Sequence, residues 1–348
     1  MAGERPERPG GGAEWGRRAP TWGVAALTVA LAIGGCKKQD GESLGKGTGN
    51  STSNVSAAAP KVYEDAGLPK REESPEQTFF NYLVFRDLAR ARALLKERPD
   101  LATKTINGTT PLAVACNSRM PELVELILEH KPDLKSKTSV GLSMMWVAVS
   151  SDSIPVVKRL AEAGADLKAR ELDGETLLWA APSRAMAEYL IRQGVDVKAR
   201  DNPKDTALHM ACRNSRRDVV EVLLDAGLNV EEKGHWGMPP LHAAASTLTG
   251  DPRSVVHFLL LRGADINSRG FNGHTALHEA AFFNNLEMVD LLLSRGADVH
   301  AKDKDGKTPK DVAVQAGKQD RIRLINLLVK HGAPGVLEPI PLDDGFDE

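Results

Sequence analysis

The 348-residue sequence contains few aromatic residues, few cysteines and almost no excess of charge of either sign. Aromatic residues make up 5% of the chain, and the formal net charge is −2. Proteins that bind nucleic acids usually combine a basic face with aromatic side chains on which bases stack. The composition therefore gives no indication of a nucleic-acid partner.

Recognisable catalytic and metal-binding patterns are also missing from the sequence. His278-Glu279 begins a run similar to the H-E-x-x-H zinc motif, but its fifth position is Phe282, which cannot bind zinc. A calcium loop around Asp303 would need a glutamate at its last position, which is Val312. We therefore expect no cofactor, no metal ion and no catalytic centre.

What the sequence does contain is a repeat of about 33 residues. Its first marker is the position of Thr275, a residue that can cap a short helix, and this position is filled by Thr110, Ser143, Thr176, Thr206, Pro239, Thr275 and Thr308. The steps between these positions are 33, 33, 30, 33, 36 and 33 residues. A second marker keeps the same steps, at Asp100, Asp133, Asp166, Asp196, Asn229, Asp265 and Asp298. Two markers in one register exclude a chance pattern.

Each repeat encodes a turn and two short helices. In the clearest copy, Thr275 can cap the first helix through its hydroxyl, and Leu277 with Ala280 gives that helix an apolar stripe. The second helix, at 288–293, is more apolar, and Gly296 follows where a helix end favours a left-handed residue. One such unit cannot bury its apolar faces alone, so the units must stack on one another.

The repeat resembles that of the ankyrin family. The resemblance rests on runs similar to Thr-Pro-Leu-His at 206–209, 239–242 and 275–278, and on Gly-Ala-Asp at 164–166, 263–265 and 296–298. It implies an all-α ankyrin-repeat solenoid over residues 75–334, with about eight helix-turn-helix repeats and projecting β-turn fingers. Repeats two to eight begin near Ile106, Ser139, Leu172, Asn202, Trp236, Phe271 and Lys304.

The two irregular steps place a deletion near 182–184 and an insertion at 246–253. Both positions are predicted to lie in surface turns between the two helices of a repeat, where loops tolerate changes of length. We expect structural tolerance at both places, or, for 246–253, a loop that contacts a partner.

The family resemblance implies a structural role for His209, His242 and His278, since this histidine forms hydrogen bonds within and between repeats in ankyrin proteins. Trp146 and Trp179 replace the histidine in repeats three and four. They predict either core packing between these two repeats or an aromatic patch in a protein-binding groove.

The three cysteines do not form a disulfide framework. Cys116 and Cys212 occupy the same slot three repeats apart, about 25–30 Å at the usual spacing of packed helices, which exceeds the reach of a disulfide. Both are predicted to be small buried core residues. Cys36 precedes the repeats and belongs to a different segment.

The turn tips differ from repeat to repeat, whereas the core positions do not. Trp236 and Phe271 lie at neighbouring tips, where the repeat requires no aromatic residue, with His235 and Asn272 beside them. Because tryptophan is enriched at interface hot spots, these four residues are candidates for protein binding. The alternative is that each tip aromatic folds against its own repeat.

Residues 1–35 resemble the signal peptide of a bacterial lipoprotein. An apolar run at 22–33, too short to cross a bilayer as a helix, ends at Gly34-Gly35-Cys36. The resemblance implies cleavage before Cys36 and a lipid on this cysteine, with residues 36–74 as a disordered tether. The alternatives are an ordinary signal peptide with a coincidental cysteine, or a short uncleaved anchor.

These features predict a non-catalytic protein–protein interaction module, a monomer held by its lipid at the bacterial cell envelope. It would face the periplasm or the cell surface, and residues 335–348 would form an acidic disordered tail. Two other interpretations stay open: a regulator or inhibitor of an enzyme partner, of the immunity type, and an enzyme with a cryptic site in the groove. If the N-terminal segment has another meaning, the protein would be cytoplasmic.

Overall fold

The computed structural model describes residues 74–171, 173–316, 321–335 and 337. These residues form an all-helical solenoid, in which most repeats contribute two helices that pack on each other and on the next repeat. In chain order the helices are α1 (Pro75–Val84), α2 (Leu88–Glu97), α3 (Pro111–Asn117), α4 (Pro121–Leu128), α5 (Met144–Ser150), α6 (Ile154–Glu162), α7 (Arg184–Arg192), α8 (Ala207–Arg213), α9 (Arg217–Asp225), α10 (Pro240–Ala245), α11 (Pro252–Leu261), α12 (Ala276–Phe282), α13 (Leu286–Ser294), α14 (Pro309–Gln315) and α15 (Ile322–Lys330).

Several helices begin directly after a hydroxyl residue whose side chain caps them. Thr110 Oγ1 accepts a hydrogen bond from the Ala113 amide at 3.1 Å, and Ser143 Oγ accepts one from the Trp146 amide at 3.1 Å. These bonds satisfy amides that have no partner inside the helix. At the other end of the unit, Gly296 has a φ of +87°, which an L side chain rarely adopts. Local chemistry therefore defines both ends of the helix pair.

Histidines in the first helices connect neighbouring repeats. Nδ1 of His209 accepts a hydrogen bond from the Thr206 amide at 3.2 Å, and Nε2 lies 3.0 Å from the Glu232 carbonyl at the base of the next finger. His278 repeats this arrangement with the Thr275 amide at 3.1 Å. Both rings are almost completely buried. The predicted structural role is confirmed for these two histidines.

His242 departs from this arrangement because residue 239 is a proline. Pro239 has neither an amide hydrogen nor a hydroxyl, and among the described residues Nδ1 of His242 has no hydrogen-bond partner, although the ring is buried. Nε2 still lies 3.0 Å from the carbonyl of His274. Burial lowers the pKa of His242. The sixth repeat therefore keeps the contact with its neighbour and lacks the bond within the repeat.

The fourth repeat does not form the expected pair of helices. Its first helix is reduced to a 3-10 turn, Leu177–Trp179, and α7 begins after the cap residue Ser183. The three-residue deletion, predicted to fall in a surface turn, therefore shortens the first helix itself. Thr176 Oγ1 and Trp179 Nε1 are buried in this repeat and have no hydrogen-bond partner in the described structure.

Arg216 of the fifth repeat compensates for this shortened helix. Its Nη1 donates to the carbonyls of Trp179, Ala180 and Ala181 at 3.3, 3.3 and 2.9 Å. A full helix that continued past these residues would have supplied backbone amides to the same carbonyls. Burial lowers the pKa of Arg216, but a guanidinium stays charged in proteins, and its hydrogen bonds are correspondingly strong.

The insertion in the sixth repeat lies between α10 and α11, as the sequence predicts, and both neighbouring repeats hold it. Thr247 Oγ1 donates to the Arg213 carbonyl at 3.0 Å, and Ser215 Oγ donates to the Thr249 carbonyl at 3.0 Å. From the seventh repeat, Asn285 Nδ2 donates to the Thr247 carbonyl at 2.9 Å. The longer loop is therefore a fixed part of the stack.

The apolar core continues from the first repeat to the last. Cys116 and Cys212 are fully buried in it and form no disulfide, which confirms the prediction for both. No helix in the described part of the chain is long and apolar enough to cross a membrane. The predicted signal peptide, the lipidation site Cys36 and nearly all of the tether lie outside the described residues, as does most of the acidic tail.

Candidate protein-binding surface

The fingers are tight turns ahead of the first helices, and those of repeats five to eight comprise residues 200–205, 233–238, 269–274 and 302–307. In finger six, the Gly234 amide closes the turn by donating to the Met238 carbonyl at 2.9 Å. Trp236 and Asn272 occupy the same slot of fingers six and seven, with φ of 53° and 51°. Asparagine adopts this left-handed conformation readily, whereas for a bulky residue it is a strained outlier typical of functional sites.

Glycines let the fingers rest directly on the preceding repeat. A Cβ atom on Gly234 would lie 2.2 Å from Asp205 Oδ1 and 2.6 Å from His209 Nε2. A Cβ atom on Gly270 would lie 2.8 Å from Met238 Cγ. Only a residue without a side chain permits this approach. The tips of fingers six and seven are therefore fixed by contact with the repeats beneath them.

Trp236 and Phe271 form an aromatic pair at these two tips. Their ring centroids lie 5.1 Å apart with an interplanar angle of 39°, within the range of favourable aromatic contacts. Trp236 is 42% exposed and Phe271 is 39% exposed. The rings thus contact each other across adjacent repeats, and a large part of each stays accessible.

His235 and Asn272 link the pair to the outer fingers. The His235 ring lies 3.9 Å from that of Trp236, and its Nδ1 is 3.1 Å from the Pro203 carbonyl of finger five. Asn272 Nδ2 donates to Asp305 Oδ2 of finger eight at 3.2 Å. Both side chains are half-buried. They position the tips and offer little contact area of their own.

Trp146 and Trp179 do not belong to this surface. Both are 4% exposed and lie in the core, so the structure favours core packing over an aromatic groove patch. In repeat three, Glu171 supplies a bond that the missing histidine would make, because its Oε2 accepts a hydrogen bond from the Ser143 amide at 3.3 Å. In repeat four, Thr176 Oγ1 is buried and has no hydrogen-bond partner among the described residues.

A cation ladder, which we did not anticipate from the sequence, runs along the bases of the fingers. Arg200 Nη1 donates to the Lys233 carbonyl at 2.7 Å, and Lys233 Nζ donates to the Arg269 carbonyl at 3.2 Å. Arg269 in turn donates to the carbonyl of Lys302. The signal was present in the sequence, because one cation recurs with the steps of the repeat at Lys104, Lys137, Arg170, Arg200, Lys233, Arg269 and Lys302.

At the end of finger seven, His274 lies between two buried carboxylates. Its Nδ1 is 3.1 Å from Glu279 Oε1, its Nε2 is 3.4 Å from Asp303 Oδ2, and its ring stacks on His278. Burial opposes the charged form of His274, but the two carboxylates outweigh it and raise the pKa. Burial lowers the pKa of His278 to about 4. The contact between His274 and Asp303 links repeats seven and eight. Among the described residues, no group of three or more His, Cys, Asp or Glu side chains could hold a metal ion.

The fold and the surface together define a class of protein, a helical repeat stack that presents fixed turn tips. The family model described as "Ankyrin repeats (3 copies)" matches residues 82–171, 145–234, 177–270 and 241–336. These matches cover well over half of the chain, which therefore belongs to the ankyrin-repeat family. Ankyrin repeats imply a protein–protein interaction module.

Several known proteins are similar to part of the chain. Tyrosine-protein kinase Shark of Drosophila melanogaster is 36% identical over 121 residues, 34% of this chain and 13% of the kinase. Inversin of Canis lupus familiaris is 31% identical over 124 residues, 35% of this chain and 11% of that protein. The putative ankyrin repeat protein FPV031 of Fowlpox virus is 32% identical over 154 residues, covering 42% and 43%. The chain thus spans less than half the length of each of these relatives.

Proposed function

We propose that the protein is a non-catalytic protein-binding module, and that Trp236 and Phe271 form the centre of its binding surface. The observation that carries the proposal is the contact between these two rings. About two fifths of the surface of each residue is exposed, and the tips that hold them are fixed by contact with the repeats beneath. A preordered pair of rings loses little conformational entropy when a partner binds. Tryptophan is also among the residues most enriched at interface hot spots.

The polar groups near this surface support a binding role over catalysis. Asp205 pairs with Arg213 at 3.0 Å and accepts the His235 amide at 2.7 Å. His274 is engaged by Glu279 and Asp303. These side chains hold the turns, and general acid or base catalysis requires groups that can reach a substrate.

We further propose that a lipid on Cys36 holds this module at a bacterial cell envelope. The support is the run Gly34-Gly35-Cys36 after the apolar stretch at 22–33. A flexible chain with the length of residues 37–74 spans roughly 35 Å r.m.s., enough to let the repeats reach a partner beside the membrane. Two acyl chains or one chain with a second signal give stable anchoring.

The anchor is tested by labelling cells with a clickable palmitate analogue. We expect label on the wild-type protein and none on the Cys36→Ser variant. Equal labelling of both proteins, or none on the wild type, would show that Cys36 is not lipidated.

The binding surface is tested by affinity capture with the full chain from detergent-solubilised envelope. The tip variant carries Trp236→Asn and Phe271→Ala, because asparagine occupies the equivalent slot at residue 272 with the same backbone conformation. The matched control carries Phe85→Ala and Leu261→Ala, which remove apolar side chains that are 79% and 70% exposed elsewhere.

We expect quantitative mass spectrometry to identify a protein that the wild type and the control capture and the tip variant loses. Loss in both variants would indicate a general effect of surface apolarity. Equal capture by all three proteins would refute the assignment of the binding surface to these tips.

A further inference from the structure

Among the exposed side chains of the fingers around Trp236 and Phe271, positive charges outnumber negative ones. Asp305 is the one exposed acid in fingers five to eight. The chain as a whole carries a net charge of −2, so the local excess of positive charge is a property of this surface and not of the composition. The exposed cations of the same fingers are Arg200, Lys204, Lys233, Arg269, Lys302 and Lys304.

The other acids of these fingers are withdrawn from the surface because they hold the turns. Asp205 is 5% exposed and accepts the His235 amide, and Asp303 is 7% exposed and accepts the Lys307 amide at 2.8 Å. Asp201 is half-buried, and burial, with Asp205 adding to it, raises the pKa of Asp201 to about 7. Asp305 is therefore the one fully exposed carboxylate beside these cations, and Glu232, just ahead of finger six, pairs with Arg200 and leaves the other five cations.

These cationic residues differ in whether their side chains or their backbone amides make the hydrogen bonds to the neighbouring fingers. Lys233 and Arg269 belong to the cation ladder and use part of their N–H groups on backbone carbonyls. Lys204 and Lys304 are bonded to their surroundings through the backbone, since their amides donate to the carbonyls of Asp201 and Asn272 at 2.9 Å each. The side chains of Lys204 and Lys304 are exposed, so their charge can be changed without removing the ladder.

The geometry points to an acidic polypeptide segment carrying a large apolar side chain as the occupant of this surface. The inference rests on the proposed function and specifies the chemistry of the partner. The apolar side chain packs on Trp236 and Phe271, and neighbouring carboxylates pair with the surrounding cations. Because exposed charges are screened by salt, the affinity falls as ionic strength rises, while the apolar contact persists.

The probe is a fluorescein-labelled peptide of glutamates with interspersed phenylalanines, and its binding to the full chain is followed by fluorescence anisotropy. In one control peptide lysines replace the glutamates, and in a second, serines replace the phenylalanines. We expect the acidic, aromatic peptide to bind most tightly and to lose affinity as salt is added. Equal binding of the lysine peptide, or no binding of the acidic one, overturns the proposal.

A charge-reversed variant, Lys204→Glu with Lys304→Glu, provides the second arm. Its matched control reverses two exposed cations of α2, Arg92→Glu with Lys96→Glu, and makes the same change in net charge. Reversing the charge of two lysines that would each pair with a carboxylate of the peptide should weaken peptide binding about tenfold. The control variant should bind the peptide as the wild type does. An equal loss in both variants would show an effect of net charge and not of this surface.

The two proposals fail in different ways. If affinity capture loses a partner in the tip variant while the acidic peptide does not bind, the surface is correct and the acidic chemistry is wrong. If neither the tip variant nor the charge-reversed variant differs from its control, both proposals are overturned.

Discussion

The contact between Arg216 and the shortened fourth repeat offers a direct test of how the stack tolerates a deletion. An Arg216→Met substitution keeps an unbranched stem and removes the guanidinium. The carbonyls of Trp179, Ala180 and Ala181 then lose the donor that lies at 2.9–3.3 Å. These carbonyls belong to repeat four, so the effect should appear first there.

The magnitude follows from the geometry of this contact. A hydrogen bond to a charged group contributes about 1.5–3 kcal/mol, and a buried carbonyl without a partner costs about 1–3 kcal/mol. One nitrogen serves three carbonyls, so we count one strong bond and two weak ones. The cost of burying the charge, which also lowers the pKa of Arg216, offsets part of the gain. We expect the free energy of unfolding to fall by about 2–3 kcal/mol.

Urea unfolding followed by far-UV circular dichroism measures the global effect. Because repeat proteins can unfold in parts, hydrogen exchange of the amides in 177–192 supplies the local measurement. The matched control is Arg192→Met, whose arginine is 66% exposed and pairs with Glu188 at 3.7 Å; a loss below about 0.5 kcal/mol is expected there. The compensating role of Arg216 is refuted if both variants lose equal stability and exchange across 177–192 is unchanged.

Three further predictions concern repeats five to eight. Pro239→Thr restores partners for His242 and should stabilise the protein by about 1 kcal/mol in the same urea assay; a decrease would show that the rigidity of proline dominates. Gly234→Ala should destabilise it by about 2 kcal/mol or more, because the new Cβ would lie 2.2 Å from a buried oxygen, and an unchanged midpoint would contradict that contact. In an NMR titration, His278 should protonate near pH 4 and His274 above 6.5. Between pH 6.5 and 4 the unfolded chain binds a proton at His278 that the folded protein does not bind. The contribution of His278 to stability is therefore present above pH 6.5 and is lost towards pH 4. Titration of both rings at 6.5 would contradict this prediction.

The fold could be predicted from the sequence because each repeat contains its own structural signals. The cap at Thr275, the helix end at Gly296 and the buried His278 all have partners within a few residues or in the next repeat. The burial of Cys212 follows from the same register. Because the repeat length is nearly constant, a structural role recognised at one position predicts the same role at the equivalent position of the other repeats.

The features that could not be predicted from the sequence are contacts between neighbouring repeats, in which a residue of one repeat bonds or packs against a group of the next. Arg216 lies at the start of a second helix, where an arginine alone indicates only a polar surface. Its role follows from the deletion in the preceding repeat, which removes helical donors without removing the carbonyls. The contact between Trp236 and Phe271 likewise joins different slots of two fingers, so the register does not predict it.

Departures from the repeat are concentrated in repeats four to seven, and most are accompanied by bonds that keep the region rigid. Arg216 bonds the carbonyls that follow the 3-10 turn Leu177–Trp179, and both neighbouring repeats bond the longer loop at 246–253. The turn that carries Trp236 contacts the repeat beneath it through Gly234, where a side chain would not fit. Unconstrained drift would leave such changes uncompensated, whereas local rules are typically broken at functional sites and stabilised elsewhere. A binding surface on a repetitive stack has to differ from the other repeats and still stay fixed, and the central repeats meet both requirements.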